Sequence, residues 1–341
     1  MKVKVIGLLI LIMCICGGCK AQDVQQEDTF KSCEVFAMDT YMTLTAYGEN
    51  ANGALEKAES RIKELDDKLS TGNADSEIAL LNSNGSGKLS KDSFYLLEKS
   101  LDISKKTDGA FLPTIYPIME AWGFPTKEFN VPDASLIKNL MPLLDIGKVD
   151  IDSQNDSVSF REEGMKLDFG GIAKGYTSDE IMKIFKENGI ESGIINLGGN
   201  VHTLGTKTDG SLWKVGIQNP YGDEEYLGVL EIADKAVITS GGYERFFEKD
   251  GIIYHHIIDP ATGYPADNEL QSVTIVSNDG VLADGLSTAL FVMGLDKAIK
   301  FYRDNSEDFD VIMMTKDDVV YVSEGVSDSF STSFDMKLIE R

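Results

Sequence analysis

Met165-Lys166-Leu167-Asp168-Phe169-Gly170-Gly171-Ile172-Ala173-Lys174-Gly175-Tyr176 is the stretch on which the fold turns. It reads as a strand over 165–169, a glycine pair, and then a helix predicted over 173–188. Outward from it, further strands are expected at 193–197, 213–218, 227–232 and 236–240, with a second helix at 284–291. On the N-terminal side, residues 33–47 alternate in a strand-like way. Leu55, Ala58, Ile62, Leu65 and Leu69 recur at helical spacing over 51–69, and a similar helix is predicted over 92–106. Between them and the glycine pair, the segment holding Pro113, Pro117, Pro125 and Pro132 reads as a long loop. Strands and helices mix without a regular βαβ rhythm, so the fold class is α+β, not a doubly wound sheet. No clean linker divides the chain, and any internal boundary is soft.

The first residues speak about the compartment. Lys2 and Lys4 precede an uncharged run from Val5 to Ile15, and Gly17-Gly18-Cys19 follows. A basic start, an apolar run of about ten residues and a small-residue exit form a secretory leader. The run is shorter than the ~20 apolar residues of a membrane-spanning helix. Residues 1–18 are therefore expected to be a lipoprotein signal peptide, with Cys19 lipidated, although Cys16 stands where such motifs usually carry Leu. Residues 19–32 read as a polar tether and residues 33–341 as the folded part. Extracytoplasmic placement on a bacterial membrane follows as an expectation. Of the four cysteines only Cys33 would then remain free, which leaves no disulfide framework within one chain.

The chain carries a formal charge of −24, and losing Lys2 and Lys4 makes it more negative still. Such a field repels nucleic acid. A phosphate-bearing ligand would need cations supplied locally, by a metal ion or by helix N-termini.

Three glycine pairs follow strand-like runs: Gly170-Gly171, Gly198-Gly199 and Gly241-Gly242. Each alone fits an ordinary turn; together they suggest a ligand-lined cleft, with the helix start near Ile172 and Lys174 facing a phosphate. On a helix, Asp284 and Thr288 share a face with Ser287 beside them. That set of hard oxygens suits Mg²⁺, while Asp284 alone also fits a helix N-cap. His255 and His256 precede Asp259-Pro260-Ala261-Thr262-Gly263, and imidazole is the natural proton acceptor near neutral pH. A structural histidine is the plainer alternative.

In order, Met38-Asp39-Thr40, Leu69-Ser70-Thr71, Asp108-Gly109-Ala110-Phe111, Trp122-Gly123-Phe124 and the segments 167–176, 195–200, 238–247, 255–265 and 283–294 resemble the ApbE family of FAD:protein FMN transferases. The resemblance spans about residues 33–336. It implies a two-domain α+β fold with FAD in the cleft between domains. It also implies Mg²⁺-dependent transfer of FMN from FAD, the substrate, to a Thr or Ser hydroxyl of a target flavoprotein, with release of AMP. Acceptors in the family are typically membrane-associated, such as subunits of Na⁺-translocating NADH:quinone reductases. Carried over residue by residue, Met38, Ala110, Phe111, Leu112, Asp168, Lys174 and Ile258 would contact FAD. Gly171, Asp284, Ser287 and Thr288 would hold Mg²⁺, and His256 would act on the acceptor hydroxyl. Two positions depart from the family pattern: Leu112 stands where an Asp is usual, and Gly72 where an aromatic often follows Leu-Ser-Thr. Two other functions fit the same motifs, an FAD pyrophosphatase using water as acceptor and a flavin-binding lipoprotein without chemistry.

Overall fold

A computed structural model describes residues 30–222 and 225–341. The expected leader, Cys19 and most of the tether lie outside the described residues. The strand Phe30–Ala37 begins inside the segment 19–32 expected to be tether. Its first three residues are exposed, so side-chain alternation gave no signal; backbone pairing of Phe30 with Tyr47 recruits them.

Among the described residues nine strands form the central sheet, and they lie in it in chain order: 30–37, 40–47, 193–197, 200–204, 236–241, 270–277, 310–315, 319–323 and 335–339. Neighbours are antiparallel except the last pair, Val319–Ser323 with Asp335–Ile339, which is parallel. The first two strands turn at Met38 and Asp39, both in the left-handed region (φ 50° and 59°). Two successive positive-φ residues match the right-handed twist of a tight hairpin.

Among the described residues there are nine helices: α1 (Ala51–Leu69), α2 (Glu77–Asn84), α3 (Lys91–Lys106), α4 (Tyr116–Trp122), α5 (Ala134–Leu140), α6 (Ala173–Glu187), α7 (Gly280–Met293), α8 (Leu295–Asp304) and α9 (Glu324–Ser327). The expected long loop after α3 holds α4 and α5, with Pro117 in the first turn of α4, where a missing N–H costs nothing. Trp122 anchors this region, buried, with its indole N–H donating to the Gly263 carbonyl at 2.9 Å.

The strand expected over 165–169 is extended chain outside any ladder. Its backbone bonds go elsewhere: the Asn82 side chain takes both the N–H (2.7 Å) and the carbonyl (2.8 Å) of Leu167, and Asp168 N–H donates to the Pro113 carbonyl. Alternating Met165, Leu167 and Phe169 still enter the core, so the apolar pattern is real while the partner is a side chain.

The central strands are buried on both faces. Ile238, Ile275, Val311 and Met313 join the core under α6 and α7. Val237, Val276, Ile312 and Met314 face the small sheet formed by 213–218, 226–232 and 330–331. Everything from Gly48 to Glu191 is an insertion between neighbouring strands. One apolar cluster runs from Leu65, Leu97 and Phe111 of the insertion to Ile238 and Val273 of the sheet, so the core is continuous across them.

Three helices of the core are clamped by charge. Arg61 of α1 pairs with Asp92 of α3 and Glu180 of α6, and Tyr176 donates to Asp92 at 2.7 Å. Burial opposes the Asp92 charge, yet the bonds from Arg61, Lys68 and Tyr176 hold its carboxyl well below the usual range. The tightest approach is between α6 and α7. A Cβ on Gly175 would lie 2.1 Å from the Gly280 carbonyl oxygen, and one on Gly280 would lie 2.6 Å from the Gly175 carbonyl oxygen. Gly175→Ala should therefore lower unfolding stability by about 1–3 kcal/mol. Gly53→Ala, in open space on the exposed face of α1, should raise it by up to about 1 kcal/mol. Denaturant titration of the two variants checks the contrast.

Candidate functional site

A cavity of about 440 Å³ opens where the helical insertion meets the sheet. That is within the ~300–1,000 Å³ of small-molecule sites. Met38 from the hairpin turn, Ala110, Phe111 and Leu112 after α3, and Asp168 and Gly171 before α6 line it. Lys174 of α6, His256 and Ile258 beyond the strand Ile252–His255, and Asp284 and Thr288 of α7 complete the expected set. Ser287 is absent from the lining. Its hydroxyl donates to the Asp284 carbonyl and hydrogen-bonds Ser240 Oγ, both at 2.8 Å.

Asp284 is not an N-cap. Helix α7 begins four residues earlier, and Asp279 caps it by accepting from Leu282 N–H at 2.9 Å. Asp179 of α6 takes the Gly280 and Val281 N–H groups as well. Asp284 therefore sits one turn into the helix, buried, with Oδ2 accepting from Gly175 N–H at 2.8 Å. Burial pushes its carboxyl above the usual range, while Lys174, the Gly175 N–H and Asn200 act in the opposite sense.

That contact corrects one expectation. The N–H groups at the start of α6 are turned to the protein's own acceptors: those of Ile172 and Ala173 donate to the Phe169 carbonyl, and those of Lys174 and Gly175 meet Asp284. The positive end of α6 holds a carboxylate of the protein itself.

Thr288 Oγ1 lies 3.3 Å from Ser240 Oγ. A Cβ on Gly171 would stand 3.6 Å from Thr288 Oγ1 and 3.1 Å from the Phe111 ring, so the Gly171 backbone is pressed against both. Of the three glycine pairs only Gly170-Gly171 lines the cavity. Gly198-Gly199 is a hairpin turn (φ +64° and +100°), and Gly242 lies against the His255 ring.

The two histidines divide their work. His255 Nε2–H donates to the Ala266 carbonyl at 3.0 Å, and its ring packs edge-on to Phe291. It is structural. His256 lines the cavity, and its Nδ1 is 3.1 Å from the Arg245 carbonyl. A carbonyl only accepts, so Nδ1 carries the proton and Nε2 keeps its lone pair. Sunk in the cavity wall and facing the Arg245 and Lys174 cations, this imidazole is pushed down to about 3 and is neutral at pH 7.

Residue-by-residue reasoning missed Tyr116, Phe124, Ser240, Glu244 and Arg245, which also line the cavity. The last three sit inside Ile238–Phe247, a segment already conspicuous for its glycine pair; the charged pair after the glycines was the available signal. Asp168 accepts from Gly170 N–H at 2.9 Å. Burial raises its carboxyl, partly opposed by Gly170 and Arg245. Among the described residues no three His, Cys, Asp or Glu side chains converge, and no helix is long and apolar enough to cross a membrane.

Fold and site together define a mixed α+β protein with a polar, histidine-bearing cavity between an antiparallel sheet and a helical insertion. The sequence profile of the ApbE family matches residues 38–313, and the chain belongs to that family. It is 38% identical over 267 residues to an FAD:protein FMN transferase of Klebsiella pneumoniae (strain 342), covering 77% of this chain and 82% of that one. It is 33% identical to the FAD:protein FMN transferase of Treponema pallidum (strain Nichols), over 95% of this chain and 94% of that one. The fold is similar to the crystal structure of the ApbE protein from Thermotoga maritima, with a TM-score of 0.82 and 31% identity over 87% of this chain and 98% of that one. It is also similar to the Pseudomonas stutzeri flavinyl transferase ApbE, with a TM-score of 0.76 and 27% identity over 91% of this chain and 95% of that one.

The His256 tautomer is open to test. Nitrogen NMR of the labelled protein should find Nδ1 protonated and Nε2 bare at pH 7, unchanged on acidification to about pH 5. The linked effect has a definite sign. The unfolded chain takes up a proton near 6.5 that the folded ring refuses until about 3, so this group makes stability fall as pH drops through that window.

Proposed function

We propose that this protein moves the FMN half of FAD onto a Thr or Ser hydroxyl of another protein, releasing AMP, with Mg²⁺ as cofactor. One observation carries the proposal: a cavity that sets a buried carboxylate and a hydroxyl, Asp284 and Thr288, in the same wall system as a neutral histidine with a bare Nε2. Relatives bearing the name FAD:protein FMN transferase support it.

The residues fit a magnesium ion. Asp284 offers a buried carboxylate whose Oδ2 already accepts from Gly175 N–H, Thr288 offers a hydroxyl, and the Gly171 backbone is packed close to that hydroxyl. One carboxylate with neutral oxygens is the sparse donor set Mg²⁺ accepts when phosphate and water complete its shell. Ser287, with its hydroxyl already committed, would support the site from behind. When bound, the ion would draw charge off the diphosphate as AMP departs.

The protein's own groups do the rest. His256 Nε2 takes the proton of the acceptor hydroxyl as its oxygen bonds to the FMN phosphorus and the bond to the AMP oxygen breaks. An anionic ligand in the cavity would raise the proton affinity of this ring, against the lowering by burial, Arg245 and Lys174. Phe111, Tyr116 and Phe124 give the lining aromatic surface, which offsets the missing aromatic at Gly72. Leu112 in place of a carboxylate removes one repulsive charge near the diphosphate.

The acceptor class, a flavoprotein subunit at a membrane, and the lipid anchor at Cys19 outside the cytoplasm belong to the same proposal and rest on the sequence. FAD pyrophosphatase activity uses the same groups with water as acceptor, so products decide between them. In an incubation with FAD, Mg²⁺ and a candidate flavoprotein subunit, the acceptor should gain the mass of FMN as AMP appears. AMP and free FMN without labelling would replace the transferase by a pyrophosphatase. Asp284→Ala should abolish Mg²⁺-dependent turnover with the fold intact by circular dichroism. Full activity of that variant in EDTA would remove the metal from the scheme. His256→Ala should slow transfer by about 10²–10⁴-fold with FAD affinity nearly unchanged, read by single-turnover AMP release.

A further inference from the structure

Three cations line the cavity, and two are already engaged. Lys127 pairs with Asp39 at 3.0 Å, and Lys174 donates to Asn200 Oδ1 at 3.3 Å and lies beside Asp284. Arg245 alone of the three makes no ion pair or side-chain hydrogen bond among the described residues. Its backbone, in contrast, is pinned. The Arg245 carbonyl accepts from the His256 backbone N–H at 3.0 Å and from the His256 ring at 3.1 Å. The turn leading to it admits no side chain at its glycines: a Cβ on Gly241 would be 2.2 Å from the Tyr243 ring, and one on Gly242 would be 2.8 Å from His255. The guanidinium thus projects, exposed and unpartnered, from a rigid base one hydrogen bond away from the His256 ring.

The rest of the lining makes this cation conspicuous. Asp39, Asp66, Asp168, Glu244 and Asp284 all border the cavity. The N–H groups at the start of α6 are turned to Phe169 and Asp284. A diphosphate entering here meets few positive groups, and an arginine fork matches phosphate oxygens two at a time.

We propose that Arg245 binds the diphosphate of FAD on the His256 side of the cavity, opposite the oxygens of Asp284 and Thr288. This rests on FAD being the substrate, as argued above, and adds a residue that touches it. The arrangement places the arginine where charge develops on the phosphoryl oxygens while His256 takes the proton. The influence of Arg245 on both His256 and Asp168 agrees with a guanidinium that reaches over this part of the cavity.

The test compares equilibrium binding of FAD and of riboflavin, which carries the ring system without phosphate, in the presence of Mg²⁺. It uses the full chain and its Arg245→Gln and Arg245→Lys variants. Arg245→Gln should weaken FAD binding about tenfold to a hundredfold and leave riboflavin binding unchanged, while Arg245→Lys should recover part of the loss. Thermal unfolding of both variants should match the unsubstituted protein, since the side chain is exposed. Unchanged FAD affinity in Arg245→Gln would overturn the assignment. Equal losses for FAD and riboflavin would do the same, because they would mark a general disturbance of the turn. Failure of the unsubstituted protein to bind FAD at all would instead sink the substrate itself, and the two failures are thereby told apart.

Discussion

The site depends on one contact between helices. Helices α6 and α7 cross so closely that Gly175 and Gly280 each face the other's carbonyl, and no side chain larger than hydrogen fits at either point. This closeness places Asp284 against the N-terminus of α6, where the Gly175 N–H takes one carboxylate oxygen. In return Asp179 of α6 takes two N–H groups from the start of α7. Each helix thus satisfies the open donors of the other with an acid, a favourable placement because helix N-termini carry partial positive charge. The exchange orients the carboxylate, and with it Thr288 one turn on.

Burial of Asp284 works against its charge, and among the described residues no full ion pair offsets it. An acidic chain that handles an anionic substrate needs such an economy of charge. The cavity carries more carboxylates than cations, and its cations are dispersed around the wall, not gathered in one patch. The histidine fits the same logic: kept neutral by burial and by two neighbouring cations, it has a free lone pair and contributes no positive charge of its own until it receives a proton.

Much of this was legible in the amino-acid pattern, and the reasons for the rest are physical. Helix α1 over 51–69 was plain because its apolar residues repeat at helical spacing and its burial follows that repeat. Spacing alone put Asp284 and Thr288 on one helix face, and both line the cavity, but the helix starts at Gly280, four residues before the expected 284, where a glycine permits the close crossing. The extended run 165–169 has the alternation of a strand, and nothing in its own residues says that Asn82, far away in the chain, will occupy its backbone. Helices α4 and α5 hid behind prolines that in fact sit in helix first turns or between helices. His256 stood out as a residue type, yet its separation from His255 required the two carbonyl partners, which only the fold supplies.

The order of strands has a consequence for assembly. Three of the eight pairings in the sheet are local hairpins (30–37 with 40–47, 193–197 with 200–204, 310–315 with 319–323), whereas the join between Thr40–Tyr47 and Gly193–Leu197 closes the whole insertion in one step, with Tyr47 N–H bonded to the Ser192 carbonyl. Closure of so long a loop is entropically costly, and contacts of that range form late. The cavity has walls on both sides of that join: Ile258 and Thr288 on the sheet side, Phe111 and Lys174 in the insertion. A chain in which the insertion is not docked lacks one wall of the pocket, so competence to bind depends on a long-range closure and not on the sheet alone.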